Sequence, residues 1–125
     1  MKNNSVTLSP PDIIVEQLVA SGIEYVFYNS GSREAKFFNA LQANPKIHGI
    51  LALHEGSVAS IAGGYSQVNK KPSVMLVHLG AGLAQSLGQV LNLWRAGLPV
   101  IILTFGGDTG TVSYTHLTLP TSDLV

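Results

Sequence analysis

Glu55 stands between an apolar run, His48–Leu53 (HGILAL), and a stretch of mostly small residues from Gly56 to Gly64, in a chain with only seven acidic side chains. If those small residues form a helix, Glu55 opens it, and the positive end of the helix dipole favours the charged carboxylate. An apolar pocket would favour the protonated form instead. A carboxyl group held near that balance can share a proton with a ligand nitrogen; it can equally be a helix-start glutamate with no other role. His78 ends a second apolar run, Ser73–His78 (SVMLVH), just before Gly80-Ala81-Gly82. An imidazole can carry or release a proton near neutral pH, and one at a strand end can also be purely structural. The glycine-rich segment could cradle a phosphate at a helix start. It is neither GxGxxG nor a Walker sequence.

Other chemistries find less support. The next acidic residue after the glycines is Asp108, 26 residues past Gly82 (108 − 82) and beyond another strand. A Rossmann dehydrogenase needs an acid nearer, for the ribose, and is disfavoured. His54 and His78 are too few, and too little supported by carboxylates, for a zinc site, and no metal ligands are expected in this chain. With no cysteine, disulfides and thiol nucleophiles are excluded. Lys+Arg and Asp+Glu are seven each, with no basic run. That balance argues against nucleic acid and against an anionic membrane surface. The start, MKNNSVTLSPPD, has no apolar signal-peptide core. No apolar run reaches the ~18 residues of a membrane span. A cytoplasmic location is the expectation.

The elements that must position these residues follow from the pattern. Ser9-Pro10-Pro11-Asp12 predicts a helix start, and Gly22 its end. Ile23–Tyr28 is a strand by composition, Asn29-Ser30-Gly31-Ser32 a turn, and residues 33–43 a second helix stopped at Asn44-Pro45. Strands are then predicted over 48–53, 73–78 and 100–104, with helices over 55–68 and 83–96 and a glycine turn at 80–82. Gly63 and Gly64 inside a helix cost roughly 1 kcal/mol each against alanine, which predicts close approach of another backbone or a ligand. Continuously apolar strands alternating with helices predict an α/β fold: a parallel sheet with helices on both faces. Ligands of such sheets bind beyond the carboxyl ends of the strands. The polar and glycine residues of this chain gather there. Charged residues make up 11% of the chain, well under the roughly 25% usual for a soluble domain. That predicts a surface partly covered by another domain or subunit.

Residues 1–8 are expected to be flexible, and 9–111 to form one domain. Residues 112–125 (VSYTHLTLPTSDLV) have no helical period and resemble a translated sequencing adapter. They are expected to be a non-native tail, with the true C-terminal portion missing.

The run LHEGSVASIAGGYSQVNKKPSVMLVHLGAGLAQSLGQVLNLWRAGLPVIILT resembles the N-terminal, pyrimidine-binding domain of thiamine-diphosphate-dependent enzymes. Glu55, Gly64-Tyr65, Lys71-Pro72, Gly82 and Pro99 fall in the family's order and spacing, and FYNSGSREAKFFNAL looks like its first strand, turn and helix. The likeness covers roughly residues 10–108. It is nearest to the benzoylformate decarboxylase and acetolactate synthase-like branch. His78 ends the third strand 23 residues after the glutamate (78 − 55), as in benzoylformate decarboxylase, and Ser32 follows the first glycine turn. Departures are Gln85 for the usual Asn, Ala84 for the Gly before it, Ser30 where Pro is common, and the added charge of Arg33.

The resemblance implies a pyrimidine-domain fold, incomplete here, and an activity on 2-oxo acids: decarboxylation or carboligation. It implies that Glu55 hydrogen-bonds the aminopyrimidine ring nitrogen of thiamine diphosphate. Gly80, Gly82 and Gln85 would line that ring, His78 would orient the substrate or shuttle protons, and Ser32 would hydrogen-bond the substrate carboxylate. Mg2+ and the diphosphate would be held by a missing C-terminal domain, whose Gly-Asp-Gly motif Gly106-Gly107-Asp108 is not. A second subunit, in a dimer or tetramer, would complete the site. Two alternatives stay open: a short pyrimidine-binding subunit of a two-subunit decarboxylase, and a non-catalytic α/β nucleotide-binding module.

Overall fold

The structure, a computed structural model, describes residues 8–29 and 31–106. Most of the expected flexible N-terminus, Ser30 and the whole of the expected non-native tail lie outside the described residues. Helices and strands alternate as α1 (Pro10–Ala20), β1 (Tyr25–Tyr28), α2 (Ala35–Ala43), β2 (His48–Leu51), α3 (Glu55–Asn69), β3 (Ser73–Leu76), α4 (Leu79–Arg95) and β4 (Val100–Leu103). A 3-10 turn, Ser32–Glu34, leads into α2.

The four strands form one parallel sheet in the order β2-β1-β3-β4. Side chains alternate across a strand, so consecutive apolar residues can feed two separate cores. Val26, Val74 and Leu76 pack with Val15, Leu18, Phe37 and Leu41 of α1 and α2. Phe27, Met75 and Val77 pack with Val58, Ala59, Ala62 and Leu93 of α3 and α4. The expected parallel α/β sheet, covered on both faces, is the fold observed, and it explains why β3 is buried from end to end.

Local chemistry sets the helix ends. The Ser9 hydroxyl and the Ser9 N–H both donate to Asp12 Oδ2, at 2.6 and 3.0 Å. Those two bonds, the hydroxyl's first, hold the Asp12 carboxyl below its usual range. At the other end of α1 the Gly22 N–H donates to the Val19 carbonyl and the Ile23 N–H to the Leu18 carbonyl, each at 3.0 Å. This closure needs a residue of positive φ, and Gly22 has φ +78°. Inside α3, a side chain on Gly63 would collide with Leu93, so this glycine lets α4 approach. Gly64 faces open space, and nothing in the structure explains it.

Several expected boundaries differ. Each strand is shorter than predicted, at four residues. Gly80-Ala81-Gly82 is not a turn but the first turn of α4, which starts at Leu79. The Gly82 N–H donates to the His78 carbonyl at 2.8 Å, closing the first helical bond. The corner between β3 and α4 is made by Leu79 itself, at φ +50°. No helix among the described residues is long and apolar enough to cross a membrane.

Candidate functional site

The chain passes from β1 to β2 on one side of the sheet and then crosses back to β3 on the other. Connections therefore diverge at the carboxyl ends of β1 and β3, which opens a crevice between them. Three segments meet at this rim: Asn29 and Gly31 to Glu34 after β1, Ala52 to Glu55 after β2, and Val77 to Gly82 after β3. Asn29 ties them together. Its N–H donates to the Leu76 carbonyl at 3.2 Å and its Nδ2 to the Ala52 carbonyl at 3.0 Å.

The closest polar pair at the rim joins Glu34 to His78. Both carboxylate oxygens of Glu34 lie within hydrogen-bond reach of His78 Nδ1, at 2.9 and 2.8 Å. The Glu34 side chain is fully buried, while that of His78 is 31% exposed. A carboxylate only accepts, so Nδ1 carries the proton and Nε2 is left for whatever enters the crevice. Sequence reasoning assigned His78 a role and passed over Glu34, which reads as one more charge at the start of a helix.

Gly31 is part of the same arrangement. A Cβ there would overlap the His78 ring and lie 2.6 Å from Glu34 Oε2. Its backbone is ordinary extended chain, φ −138° and ψ 166°, so the glycine is needed for room and not for conformation. Gly31→Ala is therefore expected to break the Glu34–His78 hydrogen bond, seen as loss of the downfield Nδ1–H resonance in the proton spectrum.

Glu55 is half-buried and is the first residue of α3. It leans on the start of α4. A Cβ on Gly82 would stand 3.4 Å from Glu55 Cγ and 3.3 Å from Val77 Cβ. Gly82 thus lets the start of α4 pack closely against Glu55 and Val77. Gly80 is exposed, and the position of its absent side chain is open. Gln85 is exposed on α4 and, with His54, Gly56, Ser57, Ser60 and Gln89, lines a cleft of about 520 Å³ between α3 and α4. Ser32 is exposed at the first position of the 3-10 turn, two residues before Glu34. Of the six residues proposed from sequence, Ser32, Glu55, His78, Gly80 and Gly82 stand just past strand ends, and Gln85 lies farther along α4 in the α3–α4 cleft. Glu55 and Gly82 are neighbours, His78 joins the unforeseen Glu34, and no hydrogen bond among the described residues links Glu55 to His78. Clefts of about 320 and 480 Å³ surround the Asn44-Pro45 turn, at the amino end of the sheet, and hold none of the six.

The corner at Leu79 carries strain, because a left-handed conformation brings Cβ close to a carbonyl oxygen. Thr104, just past β4, helps hold it by donating from Oγ1 to the Leu79 carbonyl at 3.1 Å. In an ordinary helix, alanine is about 1 kcal/mol better than glycine. Here the order is expected to reverse, with Leu79→Gly more stable than Leu79→Ala by about 1 kcal/mol in urea unfolding.

Comparison with known proteins is consistent with this geometry. The family profile described as "Thiamine pyrophosphate enzyme, N-terminal TPP binding domain" matches residues 11–123. A Mycobacterium tuberculosis protein named as an acetolactate synthase large subunit, IlvX, is 36% identical over 98 residues, covering 78% of this chain and 19% of its own. Benzoylformate decarboxylase of Pseudomonas aeruginosa is 32% identical over 87 residues, covering 70% and 16%. The crystal structure of benzoylformate decarboxylase from Polynucleobacter necessarius superposes with a TM-score of 0.71 at 28% identity, over 90% of this chain and 20% of that one. The chain spans about a fifth of the length of such relatives.

Proposed function

The chain belongs to the thiamine pyrophosphate enzymes, as their N-terminal cofactor-binding domain, and from this we propose that it forms the pyrimidine-binding part of a 2-oxo-acid decarboxylase or carboligase. One observation carries the proposal. The half-buried Glu55 carboxyl lies against the glycine-lined start of α4, at the same rim as a histidine whose Nδ1 is held by a buried carboxylate.

Glu55 would hold its proton toward the ring nitrogen of the aminopyrimidine, with Gly80, Gly82 and Gln85 of α4 lining the ring. When bound, the cofactor supplies a thiazolium ring that accepts the electron pair released with CO2. Glu34 would keep the Nδ1–H of His78 in place, so that the unprotonated Nε2 can orient the substrate or accept a proton from it. Ser32 would donate to the substrate carboxylate. Mg2+ and the diphosphate would be held by a further, C-terminal domain.

Two surfaces support further elements and a second subunit. Ile101 and Ile102 of β4, on opposite faces of the sheet, are 41% and 36% exposed, as expected of a strand that other elements flank. Leu87, Leu91 and Trp94 repeat along one stripe of α4 at 54%, 46% and 76% exposure. An apolar stripe left in water is the mark of a surface that a partner covers. The protein would work in the cytoplasm.

The test is full-length protein stripped of cofactor, resupplied with thiamine diphosphate and Mg2+, and assayed for CO2 release from a panel of 2-oxo acids. Turnover that depends on both additions supports the proposal. Cofactor binding without turnover of any 2-oxo acid would favour a non-catalytic module. The 125-residue chain by itself is expected to show no turnover, since it would bring half of a site.

A further inference from the structure

His54 precedes the glutamate and is the N-cap of α3, with extended backbone at φ −147° and ψ 140°. Its Nδ1 accepts a hydrogen bond from the Gly56 N–H at 3.0 Å. One of the donors that a helix start leaves without a partner is thereby satisfied. The usual residues for this task are Asn, Asp, Ser, Thr and Gly, whose capping does not change near neutral pH. Histidine is outside that set, and its acceptor is a nitrogen that takes up a proton. The ring also lies against the bare Cα of the next residue but one. A Cβ on Gly56 would stand 3.1 Å from His54 Nδ1 and 3.2 Å from Cε1. The residues on either side of Glu55 thus fit one another and together set the first turn of α3.

We propose that His54 is a positioning residue for Glu55, and that its neutral, Nε2-protonated form is the one that holds the glutamate in place for the cofactor. This rests on the function proposed above. A proton on Nδ1 removes the acceptor. It also places a positive charge at the positive end of the α3 dipole, so both effects loosen the same turn. The side chains facing His54 from α4, Gln85 and Gln89, carry no charge. The titratable groups nearby along the rim are Glu55 on α3, His78 ahead of α4, and Arg33 and Glu34 in the 3-10 turn. The His78 Nδ1 is already engaged by Glu34, which leaves His54 as the histidine whose Nδ1 works as an acceptor at this rim.

The experiment compares His54→Asn and His54→Ala with the parent in the full-length protein. The first readout needs no cofactor: hydrogen exchange at the Gly56 amide across mildly acidic to neutral pH. Protection, the exchange rate relative to the intrinsic rate at the same pH, is expected to be high in the parent at neutral pH and lower on acidification, low throughout in His54→Ala, and high throughout in His54→Asn, whose cap does not titrate. The second is thiamine diphosphate affinity, expected to weaken about five-fold in His54→Ala, the order set by loss of one cap, and to be restored in His54→Asn without the parent's acid-side decline. Unchanged Gly56 exchange in His54→Ala would overturn the proposal, as would an Asn variant as weak as the Ala variant. Glu55→Gln separates this failure from that of the function. Unchanged cofactor binding and turnover in Glu55→Gln would sink the function, while the Gly56 readout would still report the cap.

Discussion

Glu55→Gln in the full-length protein is expected to lower thiamine-diphosphate-dependent turnover by about 10²–10⁴-fold, the range for loss of a positioned acid–base group. Glutamine keeps the size and shape of the side chain, so its contacts with Gly82 and the start of α4 should survive. The Gly56 N–H is bonded by His54 and not by Glu55, so the helix start does not depend on the carboxylate. The amide cannot give up or take back a proton. The loss should therefore fall on kcat, with an unchanged far-ultraviolet circular dichroism spectrum and a smaller effect on cofactor affinity. A variant with parental kcat would show that residue 55 is only a helix-start side chain.

Glu34→Gln is expected to lower kcat by about 10²–10⁴-fold although the Glu34 side chain is fully buried and reaches the solvent-facing site only through His78. The carboxylate accepts from His78 Nδ1. An amide in its place can present its NH2 group to the same nitrogen, and the imidazole then settles with its proton on Nε2, the wrong side for accepting one from the crevice. His78→Ala should lose a similar amount, and the double variant little more, because two residues acting as a unit give non-additive losses. Additive losses would mean that the two act separately. Stability provides an independent check. The Glu34 side chain is fully buried, and Glu34→Ala would leave a cavity beside an imidazole without its partner, at a cost of about 1–3 kcal/mol in urea unfolding. The glutamine variant should cost less.

The strands, the helices and the rim on which they converge could be read from local pattern. Four apolar runs separated by helical periods admit few arrangements other than a covered parallel sheet. Gly22, left-handed at φ +78°, marked a helix end that depends on neighbouring residues alone. Glu55 could be singled out because an acid at the join of an apolar strand and a run of small residues is locally unusual.

Glu34 could not be read this way. In the sequence it belongs to Arg33-Glu34-Ala35-Lys36, a charged, helix-prone string that ordinarily faces water. Its burial arises because β1 and β3 lie side by side, with Val26 opposite Val74 and Tyr28 opposite Leu76, which brings His78, 44 residues away, over the turn. The start of α4 at Leu79 was hidden for a related reason. Glycine and alanine in series suggest a turn by propensity, but the packing of Gly82 against Val77 and Glu55 is worth more than the propensity lost. Residue types and spacing alone determined the fold class and the rim. The tertiary structure decided which nitrogen of His78 faces the crevice and which ring caps α3, because hydrogen-bond direction depends on distances that no local pattern contains.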